Sequence, residues 1–63
     1  MKIAIIGLGY VGIQLATGLG RQYATMGFDL DAAKVAAYEA GEDPTGEVSN
    51  AQLADATRLS FTT

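Results

Sequence analysis

The sequence predicts an α/β fold, a βαβαβ unit of parallel strands in the spatial order 3-2-1 with an open edge at the first strand. Three observations predict it. Ile3, Ala4, Ile5 and Ile6 form an unbroken apolar run, which suits a strand buried on both faces of a parallel sheet. Gly7, Gly9 and Gly12 follow at once in the spacing G-x-G-x-x-G. In such a run the first glycine permits a tight turn and the second lets backbone approach a pyrophosphate. The third lets the following helix pack close to the strand, with the helix N-terminal amides aimed at the phosphates. Asp29 then arrives 22 residues after Gly7, close to the roughly 20 expected of an acid that holds an adenosine ribose. The glycine spacing alone is weak; set between an apolar strand, a helix and an acid at this distance, it meets three independent conditions.

The remaining elements follow in order. Ile13, Leu15, Ala16 and Leu19 recur at helical spacing, with Gln14, Thr17 and Arg21 elsewhere on the wheel, and predict a first helix that Gly20 closes. Tyr23 to Asp29 mixes aromatic, β-branched and apolar residues and reads as the second strand. Asp31 can cap a second helix over Ala32 to Ala40, where five alanines supply propensity, Gly41 supplies the stop, and Val35 and Tyr38 should face the sheet. Gly41 to Val48 holds two glycines, the only proline and three acids, a loop. Ser49 with Gln52 fits a capping box for a short helix over Asn50 to Ala56, and Arg58 to Thr62 alternates Leu59 and Phe61 with polar neighbours as a third strand. The whole is one mononucleotide-binding half of a Rossmann doubly wound sheet, in which a fourth strand would lie beside the first. A first strand this apolar, left without that neighbour, is an open edge of the kind proteins normally avoid.

Composition narrows the function. A chain of 63 residues is at most one small domain, and it buries only about 60% of its unfolded surface. Four basic residues against seven acids give a net charge of -3, and the basic residues are scattered, so nucleic acid is not an expected partner. There is no cysteine and no histidine, which removes a disulfide framework, a thiol nucleophile and the usual neutral-pH base from this span. Lys2 before an apolar stretch, with Ala16-Thr17-Gly18 after it, imitates a secretory signal. Cleavage there would make the glycine spacing an accident and leave a remnant near the lower limit for independent folding. The run is also too short and glycine-broken for a membrane span. The expectation is a cytoplasmic protein with no membrane partner.

The residues expected to bind cofactor are Gly7, Gly9, Tyr10, Val11, Gly12, Asp29 and Lys34. A carboxylate at Asp29 accepts ribose hydroxyls and repels a 2′-phosphate, so NAD is favoured over NADP. Tyr10 and Val11 should turn their backbone amides to the pyrophosphate while their side chains pack. Lys34 could reach the adenosine end or simply be a solvated lysine. Asp31 is explained by helix capping, and Phe28, Tyr38 and Phe61 by the core. Glu42, Asp43 and Glu47 are spread over a loop that fixes no geometry, so no metal site is expected. No catalytic residue is identified.

The stretches KIAIIGLGYVG, GFDLD, GEDPTGEVS and RLSFTT resemble the N-terminus of the nucleotide-sugar 6-dehydrogenases, the UDP-glucose and UDP-N-acetylhexosamine dehydrogenase group. The GEDPTGEVS and RLSFTT pair is most similar to the branch acting on UDP-N-acetylglucosamine or UDP-N-acetylgalactosamine in bacterial capsule and O-antigen synthesis. The resemblance implies Gly7, Gly9, Tyr10, Val11 and Gly12 as the pyrophosphate loop, Asp29 as the ribose acid and Lys34 as an adenosine-side contact. It further implies a parent oxidoreductase that converts a sugar C6 alcohol to a carboxylate in two NAD-dependent steps through a cysteine thiohemiacetal. That cysteine and its accompanying lysine, asparagine and aspartate lie far downstream in such relatives. Residues 1–63 are thus expected to be the N-terminal half of an NAD-binding domain, without the catalytic and substrate domains and not catalytic alone. Gly18 departs from the bulkier or acidic residue often found there.

Two other readings remain open on the residues themselves. One is a free-standing dinucleotide-binding module that self-associates as a homodimer through strand 1, giving the order 3-2-1-1′-2′-3′. The other keeps the fold and changes the ligand, as in methyltransferases and flavoproteins, against which Gly12 and Asp29 favour NAD.

Overall fold

The structure is a computed structural model describing residues 2–63; Met1 lies outside the described residues. Six elements follow one another: β1 (Lys2–Ile6), α1 (Tyr10–Leu19), β2 (Ala24–Phe28), α2 (Ala32–Glu39), α3 (Asn50–Asp55) and β3 (Leu59–Thr62). The strands are parallel and lie in the order β1-β2-β3, the 3-2-1 arrangement read from the opposite edge. Each boundary falls within about two residues of the sequence expectation, except that α1 begins at Tyr10, inside the glycine spacing.

Strand alternation decides which face is covered. Ile5, Leu59 and Phe61 pack against a core of Leu8, Ile13, Ala16, Tyr38, Val48 and Leu53. Both crossovers return in the same sense to the neighbouring parallel strand, so their helices lie on this one face. The opposite face carries Ala4, Ile6, Ala24, Met26 and Ser60, all exposed, with Ile6 at 74%. This corrects the expectation that the first strand is buried on both faces. It also corrects Phe28, which alternates with Ala24 and Met26 onto the uncovered face, outside the core.

The buried stripe of α1 is Ile13, Ala16 and Thr17, not the Leu15-containing face expected. Thr17 occupies an apolar position because its hydroxyl donates to the Ile13 carbonyl at 2.9 Å, which satisfies it within the helix. Gly20 ends α1 in the right-handed region at φ -68°, so the glycine serves packing rather than a left-handed cap. A Cβ there would stand 2.6 Å from the Leu59 Cβ and 2.8 Å from the Ala16 carbonyl oxygen. The helix caps behave as the sequence predicts: Asp31 accepts from the Lys34 amide, and Ser49 and Gln52 form both halves of a capping box.

The loop from Gly41 to Val48 is ordered by one side chain. Asp43 accepts the Thr45 hydroxyl at 2.6 Å and the amides of Thr45, Glu47 and Val48 at 2.8, 2.9 and 2.9 Å. Burial pushes its carboxyl up, but the Thr45 hydroxyl and the three amides outweigh it and leave the group below its ordinary value. Val48 is thereby delivered into the core.

Gly20→Ala is expected to lower stability by about 1–3 kcal/mol, the range for overpacking a tight contact, read as a fall in the denaturant midpoint at constant slope. Gly18→Ala, where nothing lies within 4 Å of the added carbon, should instead stabilise by up to about 1 kcal/mol.

Candidate dinucleotide site

The carboxyl ends of β1 and β2 stand side by side, with Ile6 opposite Phe28. The segments leaving them, Gly7–Gly9 and Asp29–Asp31, therefore share one end of the sheet. The Gly7 amide donates to the Phe28 carbonyl at 2.8 Å as the last rung. The chain then turns with Gly7 at φ +90°, a conformation that side-chain-bearing residues rarely adopt. A Cβ on Gly12 would overlap the Gly7 carbonyl oxygen, so α1 can start this close to the turn only with glycine there.

Gly9 is the N-cap of α1, and it brings no side chain to bond the helix's first amides. Nothing lies within 4 Å of where a Gly9 Cβ would stand. The helix thus presents its positive end, with unsatisfied N–H groups, to open space, the arrangement that accepts an anion. Tyr10 and Val11 contribute backbone here, but their side chains do not pack as expected. They are 64% and 70% exposed, because the buried stripe of α1 begins only at Ile13.

Asp29 stands one residue past β2. Its Oδ1 accepts the Asp31 amide and its Oδ2 the Leu8 amide, each at 2.9 Å, and the Lys34 ammonium lies 3.6 Å from Oδ2. The Asp31 and Leu8 amides, joined by the Lys34 charge, hold its carboxyl below 3.8 against the opposing pull of burial. A carboxylate offers roughly four acceptor positions, so two amides leave it able to accept further donors. Lys34 is paired with this carboxylate rather than free in solvent.

Asp29 and Gly7 line one cavity of about 200 Å³ together with Ile6, Phe28 and Leu30. The arrangement supplies the two features that a dinucleotide needs: an acceptor for ribose hydroxyls and donors for a pyrophosphate. Of the sequence-predicted residues, Gly7 and Asp29 share the cavity, Gly9, Tyr10, Val11 and Gly12 form the turn into α1, and Lys34 reaches Asp29 from α2.

Three residues escaped the sequence reading. Leu30, 86% exposed beside Asp29, left one available signal, an apolar residue directly after the acid with no periodic partner. Leu8 is fully buried though it stands between two glycines of a loop. Tyr38 faces the core as expected, yet its hydroxyl donates to the Leu8 carbonyl at 2.7 Å; no spacing in the sequence connects residues 8 and 38.

Because the folded-state carboxyl of Asp29 lies below its unfolded value, the stabilisation it contributes is present above about pH 3.8 and is lost as pH falls through the lower, folded value. In an acid titration followed by NMR, the Leu8 amide resonance should hold its position to about pH 4 and move only below it. A shift centred above that pH would contradict the bond to Asp29.

All 63 residues match the family model described as the UDP-glucose/GDP-mannose dehydrogenase family, NAD binding domain. The chain is 44% identical over 62 residues to a UDP-N-acetyl-D-glucosamine 6-dehydrogenase of Pseudomonas aeruginosa, covering 98% of this chain and 15% of that protein. A protein of the same description from Salmonella typhi is 40% identical with the same coverage. The protein CapL of Staphylococcus aureus is 33% identical over 61 residues, 97% of this chain and 14% of CapL. The chain thus spans about 15% of the length of these relatives. NAD is the cofactor that the matched domain implies, and its ribose and pyrophosphate suit the donors and acceptors at the ends of β1 and β2. Matched along its whole length to that NAD-binding domain, the chain belongs to the UDP-glucose/GDP-mannose dehydrogenase family.

Proposed function

We propose that the chain is the NAD-binding segment of a nucleotide-sugar 6-dehydrogenase and is not catalytic by itself. The observation that carries the reading is the meeting of Asp29 with the uncapped start of α1 at one end of the sheet. In this reading the amides of the Gly7–Gly12 turn hold the pyrophosphate, and Tyr10 and Val11 act through their backbone. Asp29 holds the adenosine ribose, and Lys34 keeps the Asp29 carboxylate oriented and charged. NAD, when bound, accepts a hydride from the sugar carbinol carbon. The chain has neither cysteine nor histidine, so the nucleophile and base of such a reaction belong to other parts of a parent enzyme.

The substrate of that parent is a UDP-N-acetylhexosamine, oxidised at C6 to the uronate for cytoplasmic precursor synthesis of a surface polysaccharide. Two relatives of 44% and 40% identity carry the UDP-N-acetyl-D-glucosamine name, which supports the N-acetylglucosamine form.

A second reading is favoured by the open β1 edge and the exposed Ile6 and Met26 on the uncovered face. In it, the chain works alone as a binding module, two copies pairing β1 with β1 about a two-fold axis to give a six-stranded sheet. Light scattering of the 63-residue chain decides it: a dimer supports this reading, and a monomer with a cooperative melt overturns it.

Calorimetric titration tests the cofactor reading. NAD should bind and NADP should bind more weakly, since Asp29 would face the 2′-phosphate. Asp29→Ala should weaken NAD by roughly 10- to 100-fold, the scale for losing hydrogen bonds to a charged group. Equal affinity for both nucleotides would rule out the proposed role of Asp29.

A further inference from the structure

We propose that Tyr38 is a positioning residue of the dinucleotide site: its buried hydroxyl, bonded to the Leu8 carbonyl, aims the Gly9 amide outward from the glycine turn. The inference rests on the NAD reading above and adds to it a residue on a distant element. Tyr38 is 2% exposed, and its ring is stacked on Phe61 with centroids 5.3 Å apart and planes 25° apart. From that fixed ring the hydroxyl donates to the Leu8 carbonyl at 2.7 Å. The Leu8 carbonyl lies past the end of β1 and before the first bond of α1, which the Gly9 carbonyl accepts from Ile13.

The peptide joining Leu8 to Gly9 is planar, and in a trans peptide the C=O and N–H point in opposite directions; among the described residues no peptide is cis. Fixing the Leu8 carbonyl toward the core therefore fixes the Gly9 N–H away from it. The preceding peptide is held as well, because the Leu8 amide donates to Asp29 Oδ2. Two consecutive peptide planes of the turn are thus set by side chains, one from the end of β2 and one from α2. Burial, with the Asp43 and Asp29 charges, raises the Tyr38 phenol to about 12, so the hydroxyl remains a donor throughout the neutral range.

The test uses the ¹⁵N-labelled chain, NAD as ligand, and the variants Tyr38→Phe and Ser49→Ala. Tyr38→Phe keeps the ring on Phe61 and removes only the donor. It is expected to weaken NAD about tenfold and, without ligand, to shift the Gly9 amide resonance. Ser49→Ala removes the α3 cap at a comparable cost to the fold and should leave both readouts at their wild-type values. Wild-type NAD affinity with an unmoved Gly9 amide in Tyr38→Phe overturns the proposal. If the wild-type chain binds no NAD, the cofactor reading fails separately, and the Gly9 amide still decides whether Tyr38 sets the turn. If Tyr38→Phe does not fold, the wild-type spectrum decides. A slowly exchanging Tyr38 hydroxyl proton together with a Gly9 amide that exchanges as an unprotected one supports the proposal, and a freely exchanging hydroxyl or a protected Gly9 amide overturns it.

Discussion

Leu8 is held at three points, and the geometry of the site depends on all of them. Its amide is bonded to Asp29, its carbonyl to the Tyr38 hydroxyl, and its side chain is fully buried. The side chain finds room because Gly27 stands beneath it: a Cβ there would lie 3.0 Å from one Leu8 methyl and 3.1 Å from the Phe61 ring. Gly27 is paired with Ile5 on one side and Phe61 on the other, so the slot opens in the middle of the sheet. A loop that would otherwise be free on the surface is anchored like a core residue. The glycines on either side keep the backbone freedom the turn requires, and Leu8 supplies the rigidity that they lack.

How much of this was legible in the sequence depends on the range of the interaction. Local signals read well. The Ser49/Gln52 box, the Asp31 cap and the Leu59/Phe61 alternation each act over two or three residues and appear in the structure as predicted. The glycine spacing and the distance to Asp29 also brought Gly7 and Asp29 to one end of the sheet, as the structure has them. The distant pairs were hidden. Nothing in the order of residues ties Tyr38 to Leu8, 30 positions apart, and Tyr38 looked like any aromatic at helical spacing. Thr17 is placed off the apolar face by the spacing, whereas the helix satisfies its hydroxyl internally and buries it.

The uncovered face shows a different kind of error. The apolar run Ile3–Ile6 carries the composition of a strand buried on both sides, and that composition describes the environment the sequence suits. Within residues 2–63 only the face of Ile3 and Ile5 is covered, while Ile6 stands at the open end near the proposed cofactor cavity. Composition thus describes a doubly covered sheet, and residues 2–63 supply one layer of helices. Among the described residues no helix is long and apolar enough to cross a membrane.

The bracing role of Asp29, set beside its proposed ribose role, bears on how cofactor preference could change in this lineage. Admitting a 2′-phosphate calls for losing the acid after the second strand and gaining a cation near it. Here the same carboxylate braces the glycine turn through the Leu8 amide and draws in Lys34. Its loss would leave a buried donor without an acceptor at the moment the new specificity appears. A route from one nicotinamide cofactor to the other must therefore pass through a second substitution that supplies a substitute acceptor for Leu8, which makes the switch epistatic rather than a single step.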